Sequence, residues 1–265
     1  MTAPHEGRAI GALTFPEISR NLKPSSILLL PLGAVEQHGA HLPLATDIVV
    51  AEGLARALIG RWGAEFDLWQ LPTLPIGLSR EHDWAPGTLS LSVATFADLL
   101  TQVARQIVRA LPARNLAIVN GHGGNRGILE NLLHEFAGDL GLNACVIHPF
   151  DLVEMPGAAA PDVHGGAGET SVMLVLAPDL VRVDQVAGAA APPSPEGIDA
   201  LVFDRGVSFP WRTDDPRLAR TGIIGDPRAA SAEKGRALIA GMVEAARGAF
   251  VRLLENQAVM QKRAR

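Results

Sequence analysis

Three short, unbroken apolar runs constrain this chain more than anything else in it: Ile27-Leu28-Leu29-Leu30, Leu116-Ala117-Ile118-Val119 and Ala144-Cys145-Val146-Ile147. A half-exposed strand alternates apolar and polar residues, so continuous runs of this length read as strands covered on both faces. Between them lie segments whose apolar residues recur three and four apart. Asp47 to Ile59 carries Ile48, Ala51, Leu54, Ala55, Leu58 and Ile59, with Thr46 as the expected N-cap. Val93 to Ala110 gathers Asp98, Gln102, Arg105 and Arg109 on its polar side. A strand over Phe66 to Gln70, a helix from near Asn125, an apolar helical run at Ser171 to Leu176 and a closing helix from about Ala229 to Leu254 complete the pattern. Strand and helix in alternation predict a mostly parallel sheet with helices on both faces. Pro31 is expected to end the first strand, because proline breaks a ladder. The chain, 1–265, reads as a single α/β domain with an irregular proline-rich excursion at about 184–228, which holds Ala191-Pro192-Pro193-Ser194-Pro195, Pro210, Pro216 and Pro227.

Composition narrows the function classes. With 48% hydrophobic residues the chain is too apolar for disorder, and its net charge of −5 offers no long-range attraction to nucleic acid or anionic lipid. Lys262-Arg263-Ala264-Arg265 is a basic tail, read as solvated. No stretch approaches membrane-spanning length, and Pro4, Glu6, Arg8, Pro16 and Glu17 leave no room for the apolar core of a signal peptide. A cytoplasmic protein is expected, with neither nucleic acid nor membrane as partner. The single cysteine, Cys145, excludes an intramolecular disulfide framework and a Cys-rich zinc module, and it reads as a small buried hydrophobe. Gly-x-Ser-x-Gly is absent, so nucleophilic Ser or Cys catalysis has little support.

The residues able to carry chemistry gather where strands hand over to helices, the place where parallel sheets open onto a ligand crevice. Glu36-Gln37-His38-Gly39-Ala40-His41 follows the first strand, and Asp47 opens the next helix. Glu36 and His38 leave an extended backbone on the same side, and a carboxylate and an imidazole converging there suit Zn, Mn or Fe. The simpler alternative for Asp47 is a charge favoured by the helix dipole, worth about 0.3–1 kcal/mol. A second cluster, Asn120-Gly121-His122-Gly123-Gly124-Asn125, either holds His122 over the sheet edge or, through Gly121, Gly123 and Gly127, cradles phosphate in a weak variant of the dinucleotide fingerprint. It follows the third strand rather than the first, and no clear acidic ribose partner ends the next strand near Ile147. The third cluster runs from His164 to Ser171. Glu169 is a further metal ligand or an acid favoured at a helix N-terminus, and His164 is a general acid or base or an exposed loop residue. Trp84 and Trp211 are candidate pocket walls or partial core.

Taken together, Leu32 to Asp47, Glu81-His82 with Pro86-Gly87-Thr88, Asn120 to Asn125, and Glu169-Thr170-Ser171 resemble, in that order, the motifs of the creatininase (creatinine amidohydrolase) family. Gly225-Asp226-Pro227 and the following helix are similar to its C-terminal segment, so the likeness runs from about Leu13 to the last helix. The resemblance implies a three-layer α/β/α sandwich, a two-metal centre, hydrolysis of cyclic or linear amides, and usually a homo-hexamer. By position, Glu36 and His122 would hold one divalent ion and His38 the other, with Asp47 bridging. Creatininase itself has an acidic ligand two residues after the loop histidine. Gly124 stands there in this chain, which makes Glu169 the candidate replacement. His164 matches the catalytic histidine that protonates the leaving nitrogen, with Glu169 five residues on. Ala160 stands where creatininase has a tryptophan gripping its ring, so creatinine is not the expected substrate. The Gly-His-Gly-Gly-Asn turn is more similar to branches that include the mycofactocin-precursor peptidase and archaeal formamide hydrolases. A small amide, formamide or short peptide is therefore the expected partner. Two other classes stay open: a nucleotide-binding enzyme using the 121–127 turn, and a non-catalytic metal-binding subunit of a complex.

Overall fold

The computed structural model describes residues 6–154, 162–188, 197–198, 201–202, 206–218 and 221–263. Its four strands are β1 Ile27–Leu32, β2 Leu68–Gln70, β3 Asn115–Asn120 and β4 Asn143–Ile147. They form one sheet in the order β2-β1-β3-β4, every pair parallel. The main helices are α1 Phe15–Asn21, α2 Thr46–Phe66, α3 Val93–Ala110, α4 Arg126–Leu140 and α5 Ala167–Leu176, followed by a long C-terminal helix, Ala232–Arg263.

All of β1 and β3 is buried, which is why both read as unbroken apolar runs. Their side chains alternate between two cores. Ile27, Leu29, Ala117 and Val119 pack with residues of α2, α5 and the C-terminal helix, among them Leu58, Met173 and Phe250. Leu28, Leu30, Leu32, Leu116 and Ile118 pack on the other face against Phe96 and Leu100 of α3 and Leu132 and Phe136 of α4. The result is the three-layer α/β/α sandwich expected from the sequence.

Several boundaries differ from the expected ones, for physical reasons. Pro31 does not end β1: it pairs with Val119, and Leu32 pairs with Asn120. Pairing with β2 stops at Leu29 and Gln70, so the N–H that Pro31 lacks would point past the end of that neighbour. Its carbonyl still accepts from Leu74 N at 3.0 Å. Thr46 is the first residue of α2 rather than its cap, and its hydroxyl donates to Pro43 O at 2.7 Å. That helix runs beyond Ile59 to Phe66, where Asp67 adopts a left-handed φ of 51° and turns the chain into β2. The last helix begins at Ala232, after a 3-10 turn over Pro227–Ala229 whose cap is Asp226. Of the proline-rich excursion, Ala191-Pro192-Pro193-Ser194-Pro195 lies outside the described residues. Its described part returns to the body of the molecule, where Ile198, Leu218 and Ile224 pack together with Val163 and Trp211. No described helix is long and apolar enough to cross a membrane.

Candidate metal centre

The carboxyl ends of β1 and β3 lie side by side, tied by Gly121 N donating to Leu32 O at 2.8 Å. Glu36 and His38 rise from the first end and His122 from the second. Asp47 joins them from the first turn of α2, where Gly121 permits close approach: a Cβ on it would overlap the Asp47 carbonyl. His164 precedes α5 and Glu169 stands in its first turn. All six predicted residues meet here, and all but Glu169 are buried. His164 is thus no exposed loop residue.

Glu36 Oε1 sits among imidazoles, 3.2 Å from His122 Nδ1, 3.3 Å from His82 Nε2, 3.6 Å from His164 Nδ1 and 4.0 Å from His38 Nε2. Asp47 spans the cluster, with Oδ1 3.2 Å from His38 Nε2 and Oδ2 3.4 Å from His122 Nδ1. Glu169 Oε2 lies 3.7 Å from His38 Nε2 and accepts from Gly165 N at 2.6 Å.

Three of the histidines have one nitrogen against a backbone carbonyl, which can only accept a hydrogen bond. His38 Nδ1 faces Glu36 O at 3.1 Å, His164 Nε2 faces Gln37 O at 2.7 Å, and His122 Nε2 faces Leu78 O. Those nitrogens carry the hydrogen. The opposite nitrogens are aimed at carboxylate oxygens, acceptor against acceptor unless a proton or a cation lies between them. Both oxygens of Glu36, and Asp47 Oδ2, are buried and accept no hydrogen bond. Such an arrangement is stable only with positive charge among the donors, and a mixed carboxylate–imidazole set suits a divalent transition ion.

The ionisation pattern agrees. Burial opposes charge on His38, yet Asp47, Glu169 and Glu36 overcome it and raise its pKa to about 10. His122 is likewise raised against its burial by Glu36, Glu81 and Asp47. Burial and the adjacent His82 and His38 push His164 well below its ordinary value, and burial takes His82 down to about 4. Burial and neighbouring Glu36 raise Asp47, and burial lifts Glu169 to about 7. Glu36, in contrast, is held well below the usual carboxylate range, against its burial, by the imidazoles of His122, His82 and His164.

A family model described as creatininase (creatinine amidohydrolase) matches residues 11–250. The chain belongs to the creatininase family. It is an amidohydrolase of that family, a hydrolase of amide-type C–N bonds. The mycofactocin precursor peptide peptidase of Mycobacterium tuberculosis is 34% identical over 245 residues, covering 89% of this chain and 88% of that one. Creatinine amidohydrolase of Pseudomonas putida is 30% identical, covering 91% and 96%. A crystal structure of creatininase superimposes with a TM-score of 0.76 at 28% identity, over 92% of this chain and 97% of that one. Creatininase structures of similar likeness include a manganese form and a Zn–Zn form of a variant, at TM-scores of 0.74 and 0.73 and 28% and 29% identity.

Within this creatininase fold the 121–127 turn presents His122 to three carboxylates, Glu36, Asp47 and Glu81, which would repel a phosphate. Cys145 lies in β4, partly covered, and burial pushes its thiol up to about 12, far from a reactive thiolate.

Sequence reasoning gave no role to four residues that border the centre. His82 stacks on His164 with ring centroids 4.0 Å apart, and its Nδ1 meets Thr213 Oγ1 and Gln37 Nε2, each at 2.9 Å. Gln37 also donates to Gly222 O at 2.9 Å, which anchors the returning excursion. Glu81 faces His122, Oε1 to Nε2, at 3.4 Å. The adjacent Glu81-His82 pair ahead of Pro86-Gly87-Thr88 was the available signal. Nothing local marks Thr213, which reaches the site by tertiary folding.

Two adjoining cavities open onto the centre. One of about 510 Å³ is lined by Arg80, Glu81, Phe209, Trp211 and Arg212, the other, of about 290 Å³, by Asn120, Arg126, His148, Phe150 and Asp162. His122, His164 and Glu169 line both.

Proposed function

We propose that this enzyme hydrolyses an amide bond of a short peptide or peptide-like substrate at a centre of two divalent ions (Zn, Mn or Fe). Glu36, Asp47 and His122 would hold one ion, and His38, Asp47 and Glu169 the other. The observation that carries this reading is the set of buried Glu36 and Asp47 oxygens that accept no hydrogen bond yet face imidazole nitrogens. His38, Asp47 and Glu169 further offer ligand atoms all within 4.8 Å of one another.

When bound, the ions supply a polarised substrate carbonyl and a water of lowered pKa. The protein's own groups do the rest. His164 carries its hydrogen on Nε2, where Gln37 O accepts it, so Nδ1 is free to take a proton from the attacking water and pass it to the leaving nitrogen. Its depressed pKa keeps it neutral beforehand, as a proton acceptor must be. The Gln37 backbone carbonyl and the stacked His82 fix the angle of the His164 ring.

A peptide is favoured over a single small ring on two grounds. The 34% identity is to a peptide peptidase, and the two adjoining cavities, of about 510 and 290 Å³, offer more room at the centre than a single small ring needs. Gly124 departs from creatininase's acidic ligand in the same direction. Ala160, the other departure, lies outside the described residues. Elemental analysis of protein purified without chelator, with hydrolysis of short peptides, formamides and creatinine compared, tests the reading. About two ions per chain and the highest kcat/KM on a peptide are expected. Active protein free of metal would overturn the centre, and creatinine as the best substrate would overturn the substrate class.

A further inference from the structure

Glu81 stands at the edge of the cluster, beside His122. Its one ion-pair partner among the described residues is His122. The side chain is largely covered, 16% exposed, and lines the larger cavity. Gly124 makes its position possible. A Cβ at 124 would lie 2.5 Å from Glu81 Oε1 and would also overlap His122 Nε2 and the Leu78 carbonyl. Any side chain at 124 would displace the carboxylate, the ring or the backbone. Gly124 and Glu81 therefore form one arrangement, in which a missing side chain lets a carboxylate from another segment reach the imidazole.

The direction of approach decides what that carboxylate does. Glu81 Oε1 comes to Nε2, the nitrogen whose hydrogen faces Leu78 O. Nδ1 is the nitrogen that faces Glu36 Oε1 and Asp47 Oδ2. A carboxylate against the N–H of a ligating imidazole fixes its tautomer and ring angle and strengthens the opposite nitrogen as a donor. We propose that Glu81 is a positioning residue of the metal centre: it holds His122 in its Nε2–H form and aims Nδ1 at the ion shared with Glu36 and Asp47. The proposal rests on the two-ion reading above. Its rival is that Glu81 is itself a ligand, since Glu36, Glu81 and His122 offer ligand atoms within 4.8 Å of one another. The approach to the hydrogen-bearing nitrogen favours positioning.

Metal-stripped parent, Glu81→Ala and Glu81→Gln are titrated with Zn2+ alone, and the melting temperature of each metal-free protein serves as the fold control. The parent is expected to take two ions. Glu81→Ala should also take two, one of them bound about 10–100-fold more weakly. Glu81→Gln should fall between, because its amide oxygen keeps a partial negative charge beside Nε2 without the full charge. The metal-free melting temperatures should agree. Parent-like affinity for both ions in Glu81→Ala overturns the proposal. So does the outright loss of one ion in both variants, which would make Glu81 a ligand. If Glu81→Ala does not fold, Glu81→Gln, which keeps the shape, decides by the same criteria. A parent that binds no zinc overturns the metal reading itself, and this inference with it.

Discussion

The two ends of the sheet are built on opposite rules. At the amino end, Asp67 accepts from Ser26 Oγ at 2.5 Å, Arg8 Nη1 at 3.0 Å and Trp69 Nε1 at 3.0 Å. Asn143 Nδ2 donates to Asn115 Oδ1 at 2.7 Å and to Leu253 O at 2.6 Å, which ties the strand starts to the C-terminal helix. At the carboxyl end, Glu36 and Asp47 are buried, and both Glu36 oxygens and Asp47 Oδ2 accept nothing. A buried polar group without a partner costs about 1–3 kcal/mol, more when charged. Polar residues at the first end hold the fold together, while those at the second strain it, and strained, charge-dense clusters mark functional sites. Substitutions at the two ends should therefore separate activity from stability.

The largest effect is expected from Asp47→Asn. Asp47 faces both halves of the centre, Oδ1 towards His38 and Oδ2 towards His122, so a neutral amide weakens both ion sites and activity should fall to background. The metal-free variant should nonetheless melt higher than the metal-free parent. The folded-state pKa of Asp47 is raised by burial and by Glu36, so the ionised form opposes folding at neutral pH, and the amide removes that charge. Metal stoichiometry and thermal melts on stripped protein check both parts. A variant that loses activity and also melts lower would place Asp47 with the structural polar residues of the other end.

His164→Ala probes the same end without touching the proposed ligands. Both ions and the fold should be retained, with kcat lowered by about 10²–10⁴-fold, the usual loss for a proton-transfer group. Steady-state rates alongside metal analysis decide it. A variant within a few-fold of the parent would leave His164 a packing partner of His82, and one that loses an ion would make it a ligand.

How much of this was legible follows from which interactions are local. Central strands of a covered parallel sheet must be apolar throughout, so β1 and β3 could be read directly. The continuation through Pro31 could not, because it depends on β2 having stopped at Gln70, a fact about a different segment. Glu36, His38 and His122 were legible because strand ends in such a sheet converge on one crevice. Glu169 stayed open between a metal ligand and a helix-terminus acid, since a carboxylate in a first helical turn has an ordinary explanation in the dipole, and the resemblance with the empty place at Gly124 favoured the ligand. The supporting layer was invisible: His82 meets Gln37 across 45 residues and Thr213 across 131, and no spacing rule links such positions. Pair distances of this kind belong to packing, and packing supplied them.

The smallest effect is expected at the amino end, from Asp67. Burial raises its pKa, but the hydrogen bonds from Ser26, Arg8 and Trp69 outweigh burial and leave it below the ordinary value. An acid whose folded-state pKa is depressed adds stability above its unfolded value, about 3.9 for aspartate. That stability is lost as pH falls through the folded value. The carboxylate is partly exposed, so solvent screening limits the size of the effect. Asp67→Asn should thus lower the melting temperature modestly at pH 7, and the gap to the parent should close as pH falls below about 4. Comparing metal-free proteins removes the contribution of the centre, since the carboxylates there titrate alike in both. Activity and metal content of the variant should match the parent, as Asp67 lies at the opposite end of the strands from Glu36. A gap that stays constant from pH 7 to 3 would mean that Asp67 acts by shape at the turn into β2, where φ is 51°, and not by charge. Lost activity at full metal content would break the comparison itself, since the two ends would then be coupled through β1.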